Sequence, residues 1–113
     1  MDQSKRRSEE RINLCVPLRF RPIVKPPVGE RLAETLNLSP GGLFFSAPIA
    51  LQVDAKVEVF MTLPAEITGG LPAEVRCVAR VVHVQPNIAP GKTGVGLRIE
   101  RMEALATKDR WTS

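Results

Sequence analysis

The stretch Ala73-Glu74-Val75-Arg76-Cys77-Val78-Ala79-Arg80-Val81-Val82-His83-Val84 decides the fold. Val75, Cys77, Ala79 and Val81 fall on one side of an extended chain, and Arg76 and Arg80 fall on the other. A period of two with one apolar and one charged side marks a strand with a buried face and a wet face. Working downstream, Pro86 to Gly91 reads as a turn. Thr93 to Glu100 then repeats the pattern, with Val95, Leu97 and Ile99 alternating with Gly94, Gly96 and Arg98. Working upstream, Thr68 to Pro72 reads as a turn, and Lys56 to Leu63 alternates through Val57, Val59, Met61 and Leu63. Asn13 to Pro22 does the same through Leu14, Val16, Leu18 and Phe20, with Pro17 pointing to a sheet edge or irregularity. Glu30 to Leu36 and Leu43 to Ser46 complete a set of six strands. Six short strands separated by Pro- and Gly-rich turns predict an all-β chain, a closed six-stranded antiparallel β-barrel. Met102 to Trp111 lacks both turn residues. With Met102, Leu105 and Ala106 at helical spacing, it reads as a short C-terminal helix. The expected organisation is a flexible basic arm over 1–12, a barrel over 13–101 and a helix or tail over 102–113.

Composition narrows the class. The chain has 113 residues, 43% hydrophobic and 25% charged, which suits one soluble domain. No apolar run approaches the ~18 residues of a membrane span. The charged start, MDQSKRRSEERI, has no apolar segment behind it, so a cytoplasmic location is expected. Cys15 and Cys77 match no metal spacing and are expected to be small buried apolar side chains. The net charge is +4, and Lys5, Arg6, Arg7, Arg11, Arg19, Arg21, Lys25 and Arg31 crowd the first third. That asymmetry points to an anion site near the N-terminus. There is no tyrosine, and the single histidine, His83, has no motif-like nucleophile or metal partner. Neither catalysis nor a metal or other cofactor is therefore expected.

Two short motifs carry the chemistry. Arg7 and Arg11 stand four apart in Arg6-Arg7-Ser8-Glu9-Glu10-Arg11. On a helix they would repel, whereas around an anion they converge usefully. Guanidinium groups bind phosphate and the guanine edge bidentately and stack on flat rings. The second motif is Asn37-Leu38-Ser39-Pro40-Gly41-Gly42. Its Asn and Ser can cap a turn or bind a base, and its glycines allow positive φ or close approach.

In order, Arg7-xxx-Arg11 and Asn37-x-Ser39-xx-Gly42 resemble the signature of the PilZ domain family, RxxxR followed by [D/N]xSxxG. Val16-Pro17-Leu18, Gly42-Leu43-Phe44-Phe45 and Gly94-Val95-Gly96-Leu97-Arg98 fit the same pattern. The resemblance runs from about Arg6 to Ile99. It implies a PilZ-like barrel with a short C-terminal helix and cyclic di-GMP as ligand, with no cofactor. By the same resemblance, Arg7 and Arg11 grip phosphates and guanines. Asn37 and Ser39 contact a guanine, and Gly42, with Gly41 beside it, keeps the backbone clear. Arg6 is compatible with an intercalated ligand dimer. His83 lies where some family members place a stacking aromatic. Trp111, in the tail, is read from the sequence either as packing the C-terminal helix against the barrel or as lying free. The implied output is a change in the N-terminal arm read by a downstream protein partner, from a monomer or weak dimer.

Other readings remain open at this level. A small-barrel binder of single-stranded nucleic acid fits the positive charge. The 4% aromatic content counts against it, because such grooves stack bases on rings. A ligand-free adaptor is the other alternative. Gly91-Lys92-Thr93 resembles the end of a phosphate-binding loop, but Pro86 stands where its first glycine belongs and a strand follows, so a tight turn explains it.

Overall fold

A computed structural model describes residues 13–39 and 41–105. Six strands follow one another: β1 (Pro17–Pro22), β2 (Arg31–Ser39), β3 (Gly42–Ala47), β4 (Lys56–Leu63), β5 (Ala73–Ala89) and β6 (Lys92–Ala104). They close in the order β1-β2-β3-β6-β5-β4, every pair antiparallel. Two three-stranded meanders are thus joined twice, through β3–β6 and through β1–β4. Closure leaves no free edge along the barrel body, which is why Pro17 can open β1 without exposing an aggregation-prone ladder.

The alternation read from the sequence becomes the core. Leu18, Phe20, Leu38, Leu43, Phe45, Val57, Val59, Met61, Val75, Cys77, Ala79, Val81, Val95 and Leu97 are buried inside. Phe20 and Phe45 meet edge to face at 5.0 Å between ring centroids, a preferred aromatic geometry. The β3–β4 connection contributes buried Leu51. It is tied to β5 by Asp54 N–H to the Val81 carbonyl (2.8 Å) and Val81 N–H to the Ala55 carbonyl (2.9 Å).

Several expectations are corrected. Met102, Glu103 and Ala104 do not begin a helix, since they pair with Cys77, Arg76 and Val75 as the end of β6. The barrel therefore runs past residue 101, and residues 106–113, including Trp111, lie outside the described residues. Helical spacing in a short segment was overridden by a long partner strand with open ladder positions. The region Pro86 to Gly91 is mostly strand, with the hairpin turning at Pro90 and Gly91, which has φ +72°. A four-residue helix, α1 (Ala65–Thr68), fills the β4–β5 connection and ends on Gly69 at φ +76°. β1 starts at Pro17, four residues later than the alternation suggested.

Cys15 is exposed and Cys77 is buried. Burial pushes the Cys77 thiol up to about 11, against a smaller lowering by Arg76. Of the two cysteines, only Cys15 is expected to react with a maleimide in the folded protein, and both in denaturant. Mass spectrometry before and after unfolding checks this, and native labelling of Cys77 would contradict the packing.

Two arginines and one carboxylate clamp the seam where the barrel closes. Glu58 on β4 is only 6% exposed. Its oxygens accept from Arg21 Nε on β1 (2.8 Å) and Arg76 Nε on β5 (2.5 Å), and Arg76 continues to Glu103 on β6 (3.4 Å). Burial raises the Glu58 value, but the arginine hydrogen bonds and charges together outweigh it and hold the carboxyl below the usual range.

Candidate functional site

Asn37 owes its position to a side chain buried two residues earlier. Thr35 is fully buried; its Oγ1 donates to the Leu14 carbonyl and accepts from Val16 N–H (2.9 Å), while its own N–H donates to the Val16 carbonyl (3.0 Å). The β2–β3 register then shifts between Thr35 and Asn37, so that Leu36 is the extra residue of a bulge. Without the bulge Asn37 would point inward and Leu38 outward, because one residue of slip reverses every side chain. With it, Leu38 is buried in the core and Asn37 stands half-buried on the outer side.

Outward side chains then fall into rows across four strands. In one row Asn37 pairs with Phe44, Phe44 with Gly96, and Gly96 with His83. In the next, Ser39 pairs with Gly42, Gly42 with Arg98, and Arg98 with Arg80. Ser39 Oγ donates to the Gly42 carbonyl (3.3 Å), closing the β2–β3 turn. The Gly41 carbonyl accepts from Ile99 N–H (2.9 Å), fastening that turn to β6.

The glycines of this face have steric reasons to be there. A Cβ on Gly94 would lie 2.5 Å from Phe44 Cζ, so the phenyl ring lies directly over β6. A Cβ on Gly96 would meet His83 Cβ at 3.2 Å. The rings of Phe44 and His83 are 6.3 Å apart and tilted by 33°. A Cβ on Gly42 would lie 2.3 Å from the Leu97 carbonyl oxygen. Gly42 therefore has a first duty the sequence did not disclose, the close approach of β3 to β6. Gly41 is exposed, with open space where its Cβ would be.

Of the residues singled out from the sequence, Asn37, Ser39, Gly41 and Gly42 come together at one end of this face. Arg6, Arg7 and Arg11 lie outside the described residues. Phe44 and Arg98 were not singled out as ligand contacts; only their cross-strand register with Asn37 and Gly42 brings them in. Sequence separation hides that register. On the β1–β4 side, across the barrel, a mainly apolar groove of about 270 Å³ is lined by Pro17, Leu32, Phe60, Met61 and Leu105. Among the described residues no three His, Cys, Asp or Glu side chains are grouped to hold a metal, and no helix is long and apolar enough to cross a membrane.

These features define a small closed antiparallel barrel with polar, aromatic and cationic side chains arrayed on the β2–β3–β6–β5 face. The PilZ domain profile matches residues 5–109, and the chain belongs to the PilZ domain family. Among solved structures it is similar to the inhibitor of motility MotI/DgrA of Bacillus subtilis, with a TM-score of 0.66 and 16% identity over 92% of this chain. The match spans 46% of that longer protein, a little under half its length. It is also similar to the PilZ domain of CeSA from a cellulose synthesizing bacterium, with a TM-score of 0.52 and 21% identity over 79% of each chain. At these identities the likeness concerns the fold. No curated protein sequence matches the chain.

Proposed function

We propose that this domain is a receptor for cyclic di-GMP and passes the binding event to a protein partner. The observation that carries the reading is the bulge after Thr35. It turns Asn37 outward beside the Ser39–Gly42 turn and, through the same threonine, ties that turn to the segment at Leu14–Val16. Arg11 precedes Asn13 by two residues in the sequence. The arginine motif is thus followed in the sequence by the Leu14–Val16 segment, which Thr35 holds against the strand carrying Asn37 and Ser39. Membership of the PilZ family supports the same ligand.

The division of labour follows from chemistry. Arg7 and Arg11 supply charge-assisted bonds to phosphates and guanine edges. Asn37 and Ser39 offer the donors and acceptors that a guanine edge requires. Phe44, the cross-strand partner of Asn37, presents a flat ring, and His83 lies beyond it at 6.3 Å between ring centroids. Arg6 extends the basic segment. Ordering a charged segment around a dianion changes the surface a partner meets, which is the output in this reading. The names of the structural neighbours, an inhibitor of motility and a protein of a cellulose synthesizing bacterium, support motility or exopolysaccharide control as that output.

Isothermal titration with cyclic di-GMP tests the proposal. The wild type is expected to bind saturably at about −8 kcal/mol or better, equivalent to micromolar affinity. Arg7→Ala is expected to weaken binding at least tenfold without lowering the melting temperature. The stoichiometry distinguishes one ligand from an intercalated pair. A wild type that gives neither heat nor thermal shift would reject the receptor reading in favour of an adaptor acting by protein contact alone.

A further inference from the structure

We propose that Arg98 on β6 is an additional anion contact of this site, supplied by the barrel wall and directed at a phosphate of the bound cyclic dinucleotide. The inference rests on the reading of this face as a cyclic di-GMP site. Arg98 is the cross-strand partner of Gly42, and Gly42 is the partner of Ser39. Two strand spacings, roughly 10 Å, separate the backbones of Ser39 and Arg98. A ligand resting on the Ser39–Gly42 turn therefore lies within reach of an arginine side chain. No side chain stands between them, because Gly42 has none.

Charge singles out this residue. Arg19, Arg21, Lys56, Arg76 and Arg80 each have a carboxylate within 4.0 Å. Arg98 is exposed and has no such partner among the described residues. Glu100 follows it by two residues on the same strand, but one of its oxygens is held by Arg80 (2.8 Å) and the other by Lys56 (3.7 Å). Arg98 is also directly opposite Arg80 across the ladder. Glu100, which Arg80 holds at 2.8 Å, already offsets part of the repulsion between the two guanidiniums. The other exposed cations without an ion pair among the described residues, Lys25, Arg31, Lys92 and Arg101, are not in register with the turn. A phosphate at Arg98 would give the guanidinium the close ion pair it lacks among the described residues.

Titration with cyclic di-GMP of the wild type, Arg98→Gln and Arg101→Gln tests this assignment. Arg98→Gln is expected to bind at least fivefold more weakly than the wild type, and the deficit should shrink at high salt as screening removes the charge contact. Arg101→Gln, an exposed arginine on the same strand, should bind within about twofold of the wild type, and both variants should melt as the wild type does. Wild-type affinity in Arg98→Gln, with a wild type that binds, overturns the role of Arg98 and leaves the receptor reading intact. Equal losses in both variants show a diffuse charge effect and overturn it too. A wild type that does not bind at all overturns the receptor reading and this assignment with it.

Discussion

Gly42→Ala is expected to destabilise the domain by about 3 kcal/mol. The added methyl would lie 2.3 Å from the Leu97 carbonyl oxygen, inside any permitted contact. The obstacle is main chain, so no rotamer change relieves it; β3 must move away from β6 along the Gly42–Arg98 pair. That movement also threatens the Ser39 bond across the turn and the Gly41–Ile99 bond beside it. Thermal or urea unfolding checks the value, with a fall in melting temperature of roughly 10–15 °C for a domain of this size. Gly41→Ala is the internal control. Its Cβ would meet nothing within 4 Å, so its cost should stay within about 0.5 kcal/mol. Loss of ligand binding in Gly42→Ala alone would therefore not show that Gly42 touches ligand. Binding must be compared below the variant's own melting range.

Glu58→Gln should cost about 2 kcal/mol near neutral pH, and the cost should fade in acid. The glutamine keeps the shape but cannot accept two charge-assisted bonds as the carboxylate does from Arg21 and Arg76. Both arginines are partly exposed and can rehydrate, which keeps the loss below that of a fully buried pair. The folded-state value of Glu58 is lowered, so its ionised form binds protons less readily in the fold than in the unfolded chain. Its contribution is therefore complete above the ordinary glutamate value of about 4.3, and is lost as the pH falls through the lower folded-state value. Urea unfolding of wild type and Glu58→Gln at pH 7 and again well below pH 4 should show the two converging in acid. A constant difference across that range would mean that the carboxylate charge is not what clamps the seam.

How much was legible beforehand depends on how local the cause was. Alternation is a property of neighbouring residues, so Val75, Cys77, Ala79 and Val81, with their counterparts on β4 and β6, identified the core and the barrel directly. The second motif put Asn37, Ser39 and Gly42 together as candidates for the same reason, since it is contiguous. Helical spacing at Met102 and Leu105 misled, because a strand already extended by β5 offered ladder positions that a short helix could not match. Cys15 misled because it precedes the first ladder pair and faces out.

The sequence by itself determined that this chain folds as a small all-β barrel and that it carries the PilZ motifs in order. Only the tertiary structure decided which way Asn37 faces, which of two adjacent glycines must lack a side chain, and that Phe44 and Arg98 share the face with them. The physical reason is the same in each case. These features depend on register and approach between strands distant in sequence: on Thr35 reaching Leu14 and Val16, and on Gly42 meeting Leu97. Hydrophobic periodicity dictates which residues are inside a sheet, but closing the barrel is what sets which strands touch and how closely.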